Sequence, residues 1–347
     1  MIERFFTAAA AAVVLLAATS PASAEAFGHG ALVLTASNTA ANELVVLDTS
    51  GSVLHRIPTQ GQGGVAGNAG GIAASRDRVA VVNHGSSHVT VFARDDGGRR
   101  FRVERVIQTL AAPVSVAFGN EHLYVLTDTG VESHRAGPWG VSPVADGHAQ
   151  LLHADASAAQ VGVVRGELVI SEKSNAIEGV RLSADGAVAG AATLVAAIPA
   201  NVDAPFGLAT RGDDAYVTIA HADEISLVRH DTVLAVTPSV TQHAPCWVAL
   251  DGPFLYSANS PSHSVSRYAV YGQKIVQDAA VIAQFTGAPT DIAVHGGVAA
   301  VVDAAGTASR VSVFKVDQDG NFTLQGVAAF AGIATNGVAI VDADDWR

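Results

Sequence analysis

The adjacent residues Glu172 and Lys173 place a carboxylate and an ammonium group on one short polar segment that follows an apolar run. A carboxylate can activate water as a general base, and an ammonium group can stabilise the oxyanion formed when water attacks an ester or lactone carbonyl. His84 and His221 are alternative bases, because imidazole titrates near neutral pH. We therefore predict Glu172, Lys173, His84 and His221 as candidate catalytic residues. No G-x-S-x-G motif occurs, so a serine nucleophile is not indicated.

A second group of polar and aromatic residues could contact a ligand. These candidates are Asn38, Asn83, Asp128, Asn259, Asp303, His243, Trp247 and Phe206. These residues could instead have a structural role, because Asn side chains can bond the backbone at strand ends and aromatic rings can pack between sheets. Glu172 and Lys173 could likewise be solvated loop residues.

Four of the candidate catalytic and ligand-binding residues have side-chain oxygens that would suit Ca²⁺, namely Glu172, Asn83, Asn259 and Asp303. The chain contains no contiguous calcium-binding loop and no His-x-x-x-His spacing. We therefore expect no metal and no other cofactor, with Ca²⁺ as the alternative.

These residues must be positioned by a sequence pattern that is repeated along the chain. It consists of an apolar run, a short polar turn and a second apolar run that ends in a polar residue, as in GGIAASRDRVAVVN (70–83) and CWVALDGPFLYSAN (246–259). Matching small residues are Ala73, Ala117, Val163, Ala209, Ala249, Ala293 and Ala339, which lie 40 to 46 residues apart. Short strands repeated at this period are typical of a β-propeller.

The repeat predicts an all-β, seven-bladed propeller of four-stranded antiparallel blades. Residues 31–38, 43–48 and 52–57 supply three strands without a first one, and 336–342 supplies a first strand alone. We expect these two ends to pair in one blade, which closes the ring and removes its open edges. The alternative is a six-bladed ring, in which the weak third copy at 160–172 is not a blade.

In such a ring the loops that enter the first strand and the loops that join the second strand to the third share one face. We call it the channel face. Ligand sites usually lie on such a face, because several loops converge on one concavity. The predicted catalytic and ligand-binding residues fall on these loops or at the strand ends beside them. His55, His134 and His230 fall on outer strands instead, so we expect them at the surface.

The first 24 residues do not fit the repeat. Arg4 precedes an apolar stretch, and Ala22-Ser23-Ala24 is typical of a signal-peptide cleavage site. No later segment reaches the roughly 18 apolar residues that a spanning helix needs. We expect residues 1–24 to be a signal peptide cleaved near Ala24, and 25–347 to be a single domain that is periplasmic or secreted and not inserted in a membrane.

Composition restricts the partners. The net charge of −12 argues against nucleic acid and against an anionic membrane surface. The single cysteine, Cys246, allows no intramolecular disulfide, and its place between Pro245 and Trp247 predicts a buried, unreactive thiol.

The chain resembles the seven-bladed lactonase-type propellers, which are described by a YVTN repeat and named 3-carboxymuconate cyclase-like or 6-phosphogluconolactonase-like. The resemblance lies in 112–135, 159–186, 204–209, 244–270 and 288–294, and it extends over nearly all of 25–347. Val81-Val82-Asn83 and Tyr256-Ser257-Ala258-Asn259 approximate the motif, and ISEKSN (170–175) matches the family pattern around Glu172 and Lys173.

The resemblance implies hydrolysis or formation of a lactone ring in a small organic acid or sugar. The resemblance also implies a His near the start of one inner strand that pairs with an Arg and a Glu on neighbouring loops. No Arg-His pair precedes an innermost strand in this chain. The second hypothesis is therefore a non-enzymatic scaffold that binds a periplasmic protein or peptide through the same loops.

Overall fold

The computed structural model describes residues 30–65, 70–95, 98–174, 176–197, 204–306, 308–331 and 335–343. Residues 1–24, predicted as a signal peptide, lie outside these ranges. The described chain is all-β and forms seven antiparallel sheets, which are the blades of a β-propeller. Two single turns of 3₁₀ helix, His84–Ser86 and Ala220–Ala222, lie between strands.

Each blade takes its strands from one repeat, apart from the blade that joins the chain ends. In chain order and blade by blade the strands are β1 (Ala31–Ala36), β2 (Glu43–Leu47) and β3 (Val53–Pro58); β4 (Ile72–Ala74), β5 (Arg78–Asn83), β6 (His88–Arg94) and β7 (Phe101–Gln108); β8 (Pro113–Gly119), β9 (His122–Thr127), β10 (Gly130–Gly137), β11 (Gly140–Val141) and β12 (Gly147–Gln150); β13 (Ala158–Val164), β14 (Glu167–Glu172), β15 (Ala176–Arg181) and β16 (Thr193–Ala197); β17 (Pro205–Arg211), β18 (Asp214–Ile219), β19 (Glu224–Arg229) and β20 (Thr232–Pro238); β21 (Pro245–Asp251), β22 (Phe254–Asn259), β23 (Ser264–Tyr271) and β24 (Lys274–Gln284); β25 (Ala288–His295), β26 (Val298–Ala305), β27 (Ala308–Val316) and β28 (Phe322–Ala331); and β29 (Asn336–Asp342). We number the blades 1 to 7 in this order, with β29 in blade 1.

The two chain ends close the ring as predicted. Strand β29 pairs with β1, with Ile340 opposite Val33, and the sheet order is β29-β1-β2-β3. The Thr35 hydroxyl donates to the Gly337 carbonyl at 2.7 Å across this junction. The innermost strands touch in the cyclic order β4, β8, β13, β17, β21, β25, β29 and back to β4.

The third copy of the repeat is an ordinary blade. Residues 160–172 lie within β13 and β14, which pair and continue into β15 and β16. The six-bladed alternative is therefore wrong.

Blade 3 departs from the common pattern. Its third strand, β10, pairs with β9 and then with two short strands, β11 and β12, so this sheet has five strands. We call the segment that contains β11 and β12 the excursion of blade 3. It covers His134, whose side chain is buried and whose Nδ1 lies 3.1 Å from the Ser142 carbonyl oxygen. The expectation that His134 is a surface residue is wrong for this reason, whereas His55 and His230 are exposed as predicted.

The hydrophobic core lies between blades. One cluster joins Val89 and Val91 of blade 2 to Leu123 and Val125 of blade 3, and similar clusters fill the other junctions. Alternating valines suit such packing, because successive side chains of a strand face opposite neighbouring blades. Cys246 is buried in one of these clusters, and burial raises the pKa of its thiol, as expected for an unreactive cysteine.

Candidate functional site

One position recurs at the end of the second strand of every blade, and we call it the strand-end position. Register places Glu172 opposite Ala158, Asn259 opposite Pro245 and Asp303 opposite Pro289, each beside the start of the innermost strand. In blades 2 to 7 the residues at this position are Asn83, Thr127, Glu172, Ile219, Asn259 and Asp303, and in blade 1 the register places Ala36 there, opposite Asn336. All are at most 2% exposed. The polar members therefore need hydrogen bonds inside the protein.

The two asparagines at this position satisfy their amides locally. Asn83 accepts from Asn42 at 3.0 Å and from Thr59 at 2.6 Å, and it donates to Thr90 at 3.0 Å. Asn259 has the same kind of network, made with serine hydroxyls of its own blade. These contacts fit the structural interpretation of both residues, and they leave little capacity for a ligand.

Asp303 is neutralised by a cation. Its Oδ2 accepts from the guanidinium of Arg310 on the neighbouring strand and from the backbone N–H of Gly287 at 3.1 Å. An ion pair in this setting stabilises the carboxylate where burial alone would disfavour it.

Glu172 has no such partner. Its Oε2 accepts from the Ser157 hydroxyl at 2.9 Å, while Oε1 is buried and has no hydrogen-bond partner among the described residues. Burial raises the pKa of Glu172 to about 8, and the nearby carboxylates of Glu178 and Asp155 act in the same direction. Ser157 and Lys173 oppose this shift, but the carboxyl group still holds its proton at neutral pH.

The next residue of each repeat defines a second layer, which we call the loop position. In blades 2 to 7 its members are His84, Asp128, Lys173, Ala220, Ser260 and Ala304. Asp128 and Lys173 occupy the same place in neighbouring blades, since their N–H groups bond the carbonyl oxygens of Ala112 and Ser157, at 2.9 and 2.8 Å. The predicted polar residues therefore do not form one cluster. They divide into a buried layer and a solvent-reaching layer.

Lys173 is the cation of the solvent-reaching layer. Its side chain is half-buried, and burial lowers its pKa, while Asp128 and Glu172 act to raise it. Glu172 and Lys173 are thus perturbed in opposite directions within one dipeptide. Groups perturbed in this way are candidates for a functional site.

The remaining polar candidates lie around this layer. The Nδ1 of His84 lies 3.2 Å from the Pro113 carbonyl oxygen, a contact that suits the neutral tautomer with the proton on Nδ1 and Nε2 as the acceptor. Asn38 closes its own loop by accepting from the Gly64 N–H at 2.6 Å. His221 is exposed, and His243 is exposed and bonded to Asp223 at 2.8 Å.

The two aromatic candidates pack against each other. The rings of Phe206 and Trp247 meet edge to face with centroids 5.4 Å apart, and Trp247 is buried. Gly207 makes this possible, since a Cβ there would lie 2.7 Å from the Cα of Trp247. This contact favours a packing role between blades 5 and 6.

Two further polar residues line the central channel and were not predicted from the sequence. Gln160 and Asp291 stand at the position of their innermost strands that Trp247 holds in blade 6, as the pairings Gln160–Ser171, Asp291–Val302 and Trp247–Ala258 show. They border an axial cavity of about 320 Å³. Counting this register back from Trp247 would have identified both.

Two findings bear on metals and membranes. Within the described ranges, no group of three His, Cys, Asp or Glu residues is arranged to hold a metal ion. The four oxygen-bearing residues considered for Ca²⁺ lie in four different blades, at the strand-end position. In the same part of the chain no helix has the length and apolar character to cross a membrane.

Comparisons with known proteins bear on the fold. No protein-family model matches the chain, and no curated protein matches it. Solved structures do. A candidate 6-phosphogluconolactonase from Bacteroides fragilis has a TM-score of 0.63 and 15% identity, covering 90% of this chain and 99% of its own. One from Bacteroides uniformis gives the same four values. A virginiamycin B lyase from Staphylococcus aureus has a TM-score of 0.54 and 14% identity, covering 75% of this chain and 84% of its own.

The chain has the fold of these proteins. The resemblance to lactonase-type propellers that the sequence predicted is confirmed at this level. Identities near 15% carry no residue roles across, so the chemistry must be argued from the side chains of this chain.

Proposed function

We propose that this protein is an exported lactonase-like propeller that opens the ring of a small lactone, of an organic acid or a sugar, at the channel face beside blade 4. The observation that supports this is the Glu172–Lys173 pair, a buried neutral acid next to a half-buried lysine whose pKa is lowered. Two solved structures of the same fold carry the name 6-phosphogluconolactonase, which agrees with this proposal.

Lys173 is the residue we propose to contact the lactone. In ring opening, water adds to the carbonyl carbon, the ring C–O bond breaks, and a hydroxy acid and a proton are released. The ammonium group of Lys173 would stabilise the oxyanion, and a partly desolvated cation does this better than one in bulk water. Its place on the channel face also suits a carboxylate on the substrate.

Glu172 fits the role of general base less well than the sequence suggested. It is fully buried, and a carboxyl group with a pKa of about 8 holds its proton at neutral pH. We propose that Glu172 positions and tunes Lys173, and that a histidine activates water. His84 is favoured, since its Nδ1 contact with the Pro113 carbonyl suits the tautomer in which Nε2 can accept a proton, with His221 as the alternative.

The test is proton release from a panel of sugar, muconate-type and acyl-homoserine lactones. Lys173→Met should lower kcat/KM about 100-fold, the typical effect of losing one oxyanion donor. Lys274→Met, on the exposed outer strand β24, is the matched control and should leave turnover unchanged. His84→Gln and His221→Gln distinguish the two bases. Equal turnover by wild type and Lys173→Met would refute this assignment.

Glu172→Gln separates positioning from catalysis. If Glu172 tunes Lys173, the variant keeps turnover but loses the inflection in its pH profile near pH 8, where the native carboxyl group ionises. A loss of turnover at every pH would instead make Glu172 a catalytic residue.

Export is part of the proposal. The Arg4 n-region, the apolar stretch after it and Ala22-Ser23-Ala24 support a signal peptide. N-terminal sequencing of protein from the periplasm or medium should begin at Glu25. Recovery of the uncleaved chain from the cytoplasm would contradict this.

A second candidate function is a scaffold that binds a protein or peptide at the channel face. Exposed apolar residues on the loops between blades favour it, with Leu110 76%, Leu152 55% and Val240 73% exposed. Apolar side chains on one rim are common at interaction sites. Crosslinking in a periplasmic extract should capture a partner that the triple serine variant of these residues loses, while Leu54→Ser on β3 keeps it.

A further inference from the structure

The outer strand of blade 2 carries a cluster of arginines in a protein whose net charge is −12. We call Arg99, Arg100, Arg102 and Arg105 the arginine strip. It lies in β7 and in the turn before it, and its first three residues are exposed. Within the described ranges, the guanidinium groups of the strip have no ion-pair or hydrogen-bond partner, and the Nε of Arg105 is buried in this state.

Arginines on the outer parts of other blades are paired with acids, as Arg229 is with Asp214 at 2.7 Å. Acidic residues outnumber Lys and Arg by 32 to 20, so carboxylates are not scarce in this chain. Glu104, the acid within the strip, is already bonded to Arg78 at 2.9 Å. The strip is therefore a positive surface on an acidic protein, and such a surface attracts an anionic partner.

An exposed tryptophan lies beside the strip. Trp139 is 95% exposed and belongs to the turn between β10 and β11 in the excursion of blade 3. The next residue, Gly140, lies against the strip, since a Cβ there would be 2.8 Å from Glu104 Oε1, which also accepts from the Val141 N–H at 2.9 Å. Tryptophan is mostly buried in proteins and is enriched at binding sites, so an indole ring this open to water suits a contact surface.

Register places the strip on the side of blade 2 that faces this excursion. Arg102 is opposite Ala93 and Arg105 is opposite Val91, and paired side chains point to the same side of a sheet. Val91 packs in the cluster that also contains Val141 of the excursion. The indole ring and the guanidinium groups therefore border one surface, between the outer strand of blade 2 and the excursion.

We propose that the arginine strip and Trp139 bind a carboxylated polysaccharide, that is, a chain of uronic acid sugars. A guanidinium group can donate two parallel hydrogen bonds to one carboxylate. The flat C–H face of a sugar ring can lie on an indole ring while the carboxylate at its edge reaches an arginine. An acidic peptide offers carboxylates without such a face. A nucleic acid presents a dense, extended charge, which the acidic remainder of the protein repels.

Three probes of six units separate charge from ring stacking. Oligogalacturonate has both the carboxylate and the sugar ring, its methyl ester has the ring without the charge, and hexaglutamate has the charge without the ring. Isothermal titration with the full purified protein should show binding of oligogalacturonate, with the other two probes bound at least tenfold more weakly. Added salt should weaken this binding, because exposed charges are screened.

Trp139→Ala should weaken oligogalacturonate binding about tenfold, as expected for a contact at the centre of a site. Tyr271→Ala removes another exposed aromatic ring, at the end of β23, and should bind like wild type. The double variant Arg102→Gln with Arg105→Gln should weaken binding at least tenfold and reduce its salt dependence. Arg165→Gln, at an exposed arginine of blade 4, is the matched control.

A thermal melt of each variant checks that it folds, and Trp139→Ala decides the matter if the double arginine variant does not. No binding of oligogalacturonate to wild type would overturn the proposal. Equal binding of hexaglutamate would assign the surface to an acidic peptide and overturn it as well. Unchanged binding by Trp139→Ala and the double variant would place the polysaccharide elsewhere, with the same consequence. No lactone takes part in these measurements, so this proposal and the proposed function fail independently.

Discussion

Blade 4 and blade 7 carry an acid at the same buried position of the repeat, but only one of the two is neutralised. Asp303 of blade 7 accepts from Arg310 and from the Gly287 N–H. Among the described residues, Glu172 of blade 4 accepts from the Ser157 hydroxyl only. One oxygen of each acid, Glu172 Oε1 and Asp303 Oδ1, has no hydrogen-bond partner there. Both side chains are fully buried, so the difference lies in the partners and not in solvent exposure.

This difference separates a structural acid from a candidate functional one. A buried carboxylate with a hydrogen-bonded cation contributes to the packing of its blade, and removing either partner is costly. A buried carboxyl group without a cation takes up a proton, which perturbs the titration of its neighbours. Lys173 is the neighbour in blade 4, and it lies on the channel face. The same repeat position therefore stabilises blade 7 and tunes a lysine in blade 4.

The largest effect should come from breaking the pair in blade 7. Arg310→Met leaves Asp303 buried and uncompensated, and it should lower the free energy of unfolding by about 3 kcal/mol or more. Urea denaturation at pH 7 measures this. The double variant Arg310→Met with Asp303→Asn should recover part of the loss, since no charge is then buried. A loss below about 0.5 kcal/mol would mean that the pair behaves like a surface ion pair.

A smaller effect should follow from removing the ionisable group in blade 4. The folded-state pKa of Glu172 is about 8, raised from 4.5, so between these values the folded state binds more protons than the unfolded state. Stability from this group is fully present below about pH 4.5 and is lost as pH rises through 8, by roughly 1.4 kcal/mol per pKa unit as an upper limit. The Glu172→Gln variant should lose much of this pH dependence. Its free energy of unfolding should fall by about 2 kcal/mol less than that of wild type between pH 5 and pH 8.5.

Urea denaturation at the two pH values tests this, with Glu121→Gln as the control because Glu121 is exposed. Part of the slope should persist in Glu172→Gln, because Asp291 is also buried and burial raises its pKa to about 7. An unchanged slope in Glu172→Gln would mean that the carboxyl group of Glu172 is not the titrating group.

The fold could be predicted because the repeat is visible in the sequence. The strand pattern recurs often enough to count seven blades, and the missing strands at the two ends complement each other. The excursion of blade 3 could not be predicted this way, because β11 and β12 interrupt the repeat with strands of two and four residues. The burial of His134 depends on that excursion.

The candidate site was predicted less well, for two physical reasons. The last residue of a strand and the first residue of the loop after it lie in different environments, so grouping Glu172 with Lys173, or Asn83 with His84, joined buried side chains to solvent-reaching ones. The innermost strands also contain a register shift near their start, for example between Pro289 and Asp291. A bulge changes which side chains face the axis, so simple alternation cannot identify Asp291 or Gln160.

The smallest effect should come from the single donor to Glu172. Ser157→Ala removes the hydroxyl that bonds Oε2 at 2.9 Å. Because this bond favours the ionised form, its loss should raise the pKa of Glu172 further above about 8. The stability cost should be small at pH 6, where the acid is neutral, and about 1 kcal/mol at pH 9, where the carboxylate loses its donor. Ser183→Ala, in an exposed turn of the same blade, removes a comparable hydroxyl and should show no such pH dependence. An equal cost at both pH values would mean that the hydroxyl serves packing alone, and the contrast between blades 4 and 7 would then rest on Arg310 and not on the protonation of Glu172.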